Sequence, residues 1–119
     1  MPNIRRLKMT ADLADRLDPA AVDLAIWKCG TTACVIGHAC QDAAHNAEGL
    51  RLRDFRRGEV PCYGASLVNW NAVESFYEIA LADAYELFHL FAYSEWERNP
   101  HAVAERIRAF IAAHTLVPA

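Results

Sequence analysis

Apolar and polar positions alternate along this chain with periods that predict mostly helix. Thr10 reads as an N-cap for a helix over 11–17, with Leu13 and Leu17 one turn apart, and Asp18-Pro19 stops it. Ahead of it, residues 1–8 carry Arg5, Arg6 and Lys8 and read as an arm, a short strand or the start of a longer helix. Residues 20–27 favour an extended segment over a short helix, on the alternation of Val22, Leu24 and Ile26. Gly30 then breaks the chain, Thr31 serves as cap, and 32–46 reads as one helix. Its projection at 100° per residue puts Ala33, Ile36, Cys40, Ala43, Ala44 and Ala47 on the core side. Cys34, His38, Gln41, Asp42 and His45 fall on the opposite, water-facing edge.

Gly49 ends that helix. Residues 50–63 alternate loosely around a turn at Arg57-Gly58-Glu59, which suits a short hairpin kept at an edge by Pro61, or a functional loop. Helices follow over 71–79 and 82–91, the second with Ala84, Leu87, Phe88 and Phe91 at the centre of a broad apolar face. The last helix starts with Asn99 as cap and Pro100 in its first position, and buries Val103, Ile107, Phe110 and Ile111. The expected fold is therefore all-α, four or five helices in a single domain over 1–119, with room for a hairpin near 50–63.

Composition supports a globular chain. The 119 residues are 54% hydrophobic and 23% charged, enough to bury a core without disulfide staples. A net charge of −3 predicts no general attraction to nucleic acid or anionic membrane. Arg5, Arg6 and Lys8, with Arg51, Arg53, Arg56, Arg57 and the interleaved Phe55, read as two solvated basic segments and not as a nucleic-acid surface. The N-terminal residues lack the apolar core of a secretory signal, and no apolar run is long enough to span a bilayer. A cytoplasmic location is expected, with Cys29, Cys34, Cys40 and Cys62 as thiols.

Cysteine spacing supplies the candidate chemistry. On the predicted helix Cys34 occupies the first turn, where free N–H groups favour a thiolate, and His38 lies four residues on along the same face. Cys29 can fold back over that helix start. Three uses follow: a structural helix start with apolar thiols, a zinc site on Cys29, Cys34, His38 and Cys62, or thiol chemistry with Cys34 as nucleophile and His38 as base. Against zinc, the cysteine gap is wider than a usual knuckle and no second pair follows, so no cofactor is favoured. His45 cannot share an ion with His38, since seven helical residues separate them by about 10 Å. Against catalysis, no orienting third group or oxyanion hole is identifiable. Among the aromatics of the second half, Tyr93 and Trp96 lie in a short connection and are the best candidates for a binding surface.

Trp27, Cys29, Gly30, Thr31, Cys34, Gly37, His38 and Ala39 resemble the recurring element of a group of small bacterial and phage-borne proteins. That element runs Phe-Asp-Met, Trp, Cys-Gly-Thr, a second Cys, then Gly-His-Ala or Gly-Trp-Ala; Val22 and Leu24 here replace its aromatic and methionine. A weaker likeness covers Leu87-Phe88, Trp96, Pro100, Val103, Arg106-Ile107 and Phe110-Ile111. The resemblance implies a shared fold and no particular activity. The expected function is a non-enzymatic protein-interaction or regulatory module, carried by mobile elements, that binds another protein. The alternative is a thiol-dependent enzyme or a zinc or redox site on Cys29, Cys34 and His38.

Overall fold

A computed structural model describes residues 1–115. The first element is helix α1 (Ile4–Arg16), so residues 4–8 are the start of a longer helix, one of the three readings of that segment. Asn3 caps it, its side-chain oxygen accepting from Arg6 N at 3.0 Å. Ile4, Leu7, Ala11 and Ala14 recur at helical spacing, and that stripe carries the helix back past Thr10. Thr10 is thus a fully buried mid-helix residue and not a cap.

After a 3-10 turn (Pro19–Ala21), the chain runs irregularly to α2 (Val35–Ala39), then to α3 (Ala43–Ala47). The single helix expected over 32–46 is therefore two short ones. Asp42 breaks it: its carboxylate accepts from His45 N at 3.2 Å, which starts a new helix where the old one would have continued. Asn46 Nδ2 donates to Cys40 O and Leu50 O, both at 2.8 Å, satisfying the carbonyls the break leaves open. Ala43, Ala44 and Ala47 consequently face solvent and His45 is buried, the reverse of the projected faces.

The all-α expectation is overturned by a three-stranded antiparallel sheet, so the fold mixes helix and sheet. Strands β1 (Leu50–Phe55) and β2 (Gly58–Tyr63) form the hairpin, and β3 (Leu67–Val68) adds to its far side. The tight turn is Arg56-Arg57, one residue earlier than read, with Arg56 at φ +58°. β2 is the central strand, yet β3 pairs only with Cys62 and Tyr63, so Pro61 meets no N–H demand from that side.

Helices α4 (Asn69–Tyr77) and α5 (Leu81–Phe88) follow, and α6 (Pro100–Thr115) closes the described chain. Asn99 caps α6 as expected, accepting from Ala102 N at 2.8 Å. α6 lies along α1, and small residues at the contact (Ala11, Ala14, Ala104) allow close approach. Arg108 with Asp12 and His101 with Asp15 tie the solvent edges of this pair. The core between α1, α4, α5, α6 and the sheet contains Leu7, Ile36, Leu50, Phe76, Tyr77, Leu87 and Ile107. Phe91, expected in the core, lies beyond the end of α5 and is 81% exposed. Among the described residues no helix is long and apolar enough to cross a membrane.

Candidate functional site

The cysteine motif forms a tight turn and a helix start. Cys29 and Thr32 exchange backbone hydrogen bonds (2.7 and 3.0 Å) around Gly30-Thr31. Gly30 sits at φ +61°, a conformation that favours glycine at the first position of such a hairpin turn. Thr31 is therefore a turn residue, and the cap of α2 is Cys34, whose sulfur accepts from Gly37 N at 3.4 Å. Cys34 N donates to Ile26 O at 2.8 Å, and Ala33 bonds residues 21 and 23, so the turn is stitched to the segment before it. Gly37 completes the arrangement. A Cβ there would meet Trp27 O at 1.6 Å, so the helix can lie against that backbone only with glycine at this position.

These contacts separate the residues proposed for chemistry. Cys34 is buried, not water-facing. Burial pushes its thiol up to about 11, outweighing the N–H groups of Gly37 and Ile36, and Asp23 adds to the rise. His38 donates from Nε2 to Ala21 O at 2.7 Å. Cys29 is exposed, while Cys40 and Cys62 are buried, and burial with the nearby Cys34 and Cys62 drives the Cys40 thiol upward. Among the described residues no group of three or more His, Cys, Asp or Glu side chains is placed to hold a metal ion. Cys29, Cys34, His38 and Cys62 are thus not gathered where they could share one ion.

A second polar group, not foreseen, lies inside the protein. His45 Nδ1–H donates to Asp42 at 2.6 Å, and His45 Nε2 stands 2.8 Å from Thr10 Oγ1, which in turn is 2.6 Å from Tyr77 Oη. Burial would raise the Asp42 carboxyl, but the hydrogen bonds from His45 hold it below its ordinary value. Burial drives the Tyr77 phenol strongly upward. The order carboxylate, imidazole, hydroxyl is that of an activated nucleophile. Yet Thr10 and His45 are 0% and 1% exposed, so no substrate reaches the hydroxyl, and the group ties α3 to α1 and α4.

An open cavity of about 350 Å³ lies between the residues before the motif and the end of α5. Leu24, Ile26, Trp27, Trp70, His89 and Phe91 form most of its wall, with Cys34 at its base. The rings are mutually braced: Trp70 lies 5.0 Å from Trp27, 4.7 Å from Tyr85 and 5.6 Å, stacked, from His89. His89 Nδ1 accepts from Phe91 N at 3.1 Å, which leaves Nε2–H as the donor of that ring. This bond also starts the 3-10 turn (Leu90–Ala92) that turns Phe91 outward. The volume and the apolar, aromatic wall with few polar groups match a binding pocket.

Of the two aromatics read as a binding surface, Trp96 is 83% exposed and Tyr93 is not available. Tyr93 is buried, its hydroxyl donates to Leu87 O, and the Arg106 guanidinium lies 3.8 Å above its ring, so it holds the connection between α5 and α6. Trp27, Trp70, His89 and Phe91 were missed as a group. The signal was the density of rings around residues 85–96, more than one helix face can bury. The basic segments are partly neutralised: Glu48 pairs with Arg5 and Arg6, and Arg6 also covers the Phe76 ring at 4.5 Å. Arg51 donates to Gly49 O and Gly64 O, and Arg56 lies over Phe55. Comparison with protein-family models, with curated proteins and with solved structures gave no match.

Proposed function

We propose that this chain is a non-enzymatic protein-interaction module that receives an apolar side chain of a partner protein in its aromatic pocket. The observation that carries this reading is the pocket wall of Trp27, Trp70, His89 and Phe91, of which Phe91 stands 81% exposed. Rigid aromatic surface that is already ordered offers contact area at low entropic cost, which favours association. The thiol alternative on Cys29, Cys34 and His38 draws no support from a buried sulfur with a raised pKa and an imidazole bonded elsewhere. The motif likeness to bacterial and phage-borne proteins accords with a module carried by mobile elements and acting in the cytoplasm.

The test begins with peptides selected from a displayed library against the immobilised protein. A synthetic copy of the best binder is titrated into ¹⁵N-labelled protein. The indole N–H signals of Trp27 and Trp70 are expected to shift, and Ala25→Arg at the pocket mouth is expected to weaken binding at least about tenfold. Binders that leave both indole signals in place would overturn the proposal.

A further inference from the structure

We propose that the free edge of β1 receives an extended acidic segment of a partner protein, which adds to the sheet as a further strand. The sheet order is β1-β2-β3, so β1 has a neighbour on one side only. Phe55 and Gly58 close the two-residue turn and form a hydrogen-bonded pair, as do Arg53 with Val60 and Arg51 with Cys62. Leu50, Leu52 and Asp54 alternate with these, so their N–H and C=O groups point away from β2. Pro61 agrees with this phase, since it stands opposite Leu52, where β1 asks for no N–H. Asn46 Nδ2 already occupies Leu50 O. Among the described residues the backbone groups of Leu52 and Asp54 have no partner on the open side, and their spacing is the one an added strand takes up.

The charge along this edge chooses the occupant. Arg51, Arg53, Arg56 and Arg57 are all exposed, on a chain whose net charge is −3. The carboxylates that pair with Lys or Arg among the described residues are engaged elsewhere: Glu48 holds Arg5 and Arg6, Glu59 holds Lys28, and Asp12 and Asp15 hold Arg108. Asp54 is the sole acid within 51–57, and alternation places it with Leu50 and Leu52, on the face opposite Arg51 and Arg53. A second copy of β1 would set arginine against arginine, so the edge disfavours its own kind. A nucleic acid offers phosphate charge but no ladder of N–H and C=O groups to meet Leu52 and Asp54.

Register then sets the pattern of the partner segment. Residues facing Leu52 and Asp54 exchange the backbone bonds, and the residue between them stands across from Arg53 with Cβ atoms about 5 Å apart. A carboxylate there, and another two residues along across from Arg51, each face a guanidinium on one side of the sheet. The residue between these carboxylates lies across from Leu52, which is half-buried and packed against the core, so an apolar side chain suits it. The segment reads acid, apolar, acid. Each exposed ion pair is weak alone, so the backbone bonds supply the binding and the charges supply the choice.

Titration of the ¹⁵N-labelled full chain with a short capped peptide of alternating glutamate and valine tests this. The Leu52 and Asp54 amide signals are expected to shift and their hydrogen exchange to slow, while the Trp27 and Trp70 indole signals stay in place. A lysine–valine counterpart, and the acidic peptide N-methylated at its valines, are each expected to bind at least about tenfold more weakly. Arg53→Glu lies at an exposed position and should keep the wild-type circular dichroism. It should lose at least about fivefold in affinity for the acidic peptide and prefer the lysine peptide. No binding up to millimolar peptide, equal binding of the lysine or N-methylated peptide, or an unchanged preference in Arg53→Glu would each overturn the inference. Movement of the indoles in place of the two amides would also overturn it. So would an oligothymidylate that shifts the Leu52 and Asp54 amides as strongly as the acidic peptide, which would assign the edge to nucleic acid.

Discussion

Residues 29–38 and residues 85–96 make opposite use of reactive or adhesive side chains. In the first stretch every distinctive group except the exposed Cys29 thiol has an internal partner. Cys34 sulfur caps α2, His38 bonds Ala21 O, Gly30 turns the chain and Gly37 admits Trp27 O. In the second stretch side chains are left over: Phe91 is exposed at a cavity that Trp70 and His89 wall, and Trp96 is exposed further along the chain. Regular spacing in the first stretch records the stereochemistry of a turn and a close packing. The irregular second stretch leaves apolar rings exposed to solvent. A marked motif therefore points to function only when its groups remain unpartnered once the chain has folded.

That contrast can be broken from either side. The largest effect is expected at Gly37. Gly37→Ala drives a methyl into Trp27 O and should destabilise the fold by about 3 kcal/mol or more, read by urea denaturation. Gly58→Ala is the control, because its Cβ would meet nothing within 4 Å, and it should change stability by less than about 1 kcal/mol. Thr10→Val comes next. It keeps the shape but strands His45 Nε2 and the Tyr77 hydroxyl in the interior, at a cost of about 2 kcal/mol by the same denaturation.

A smaller effect depends on pH. Hydrogen bonds from Arg5 and Arg6 lower the Glu48 pKa to about 2 from its ordinary 4.5. The folded-state pKa is the lower one, so this contribution is complete above the ordinary value and is lost as pH falls toward the folded one. Glu48→Gln should remove that part of the acid sensitivity and lower neutral-pH stability by about 1 kcal/mol, seen in melting curves across pH. The smallest change belongs to the open stretch: Trp96→Ala should leave monomer stability within about 0.5 kcal/mol of wild type.

The helices with strong stripes or strong ends were legible. Asn99-Pro100 marks the start of α6, and Ala84, Leu87 and Phe88 mark the buried face of α5. Cys40 was correctly placed in the core. What escaped has local causes. In α1, only Ile4 and Leu7 carry the stripe before Thr10, among Arg5, Arg6 and Lys8, which is too little periodicity to mark a helix. At 40–42, a single aspartate competing as a cap outweighed a periodic pattern that crosses it. The sheet was undervalued because Pro61 argues against a central strand, and only the shortness of β3 makes it tolerable. The pocket was not legible: its walls come from residues 24–27, 70 and 88–91, and no spacing rule joins segments so far apart.

Labelling of the four thiols in the native protein, followed by mass spectrometry across pH, tests most directly whether the motif is scaffold. Cys29 should react readily at neutral pH. Cys34 should resist until the pH approaches its raised pKa of about 11 or until the protein unfolds. Modification of native Cys34 at neutral pH at a rate equal to or above that of Cys29 would contradict the account and return the motif to chemistry.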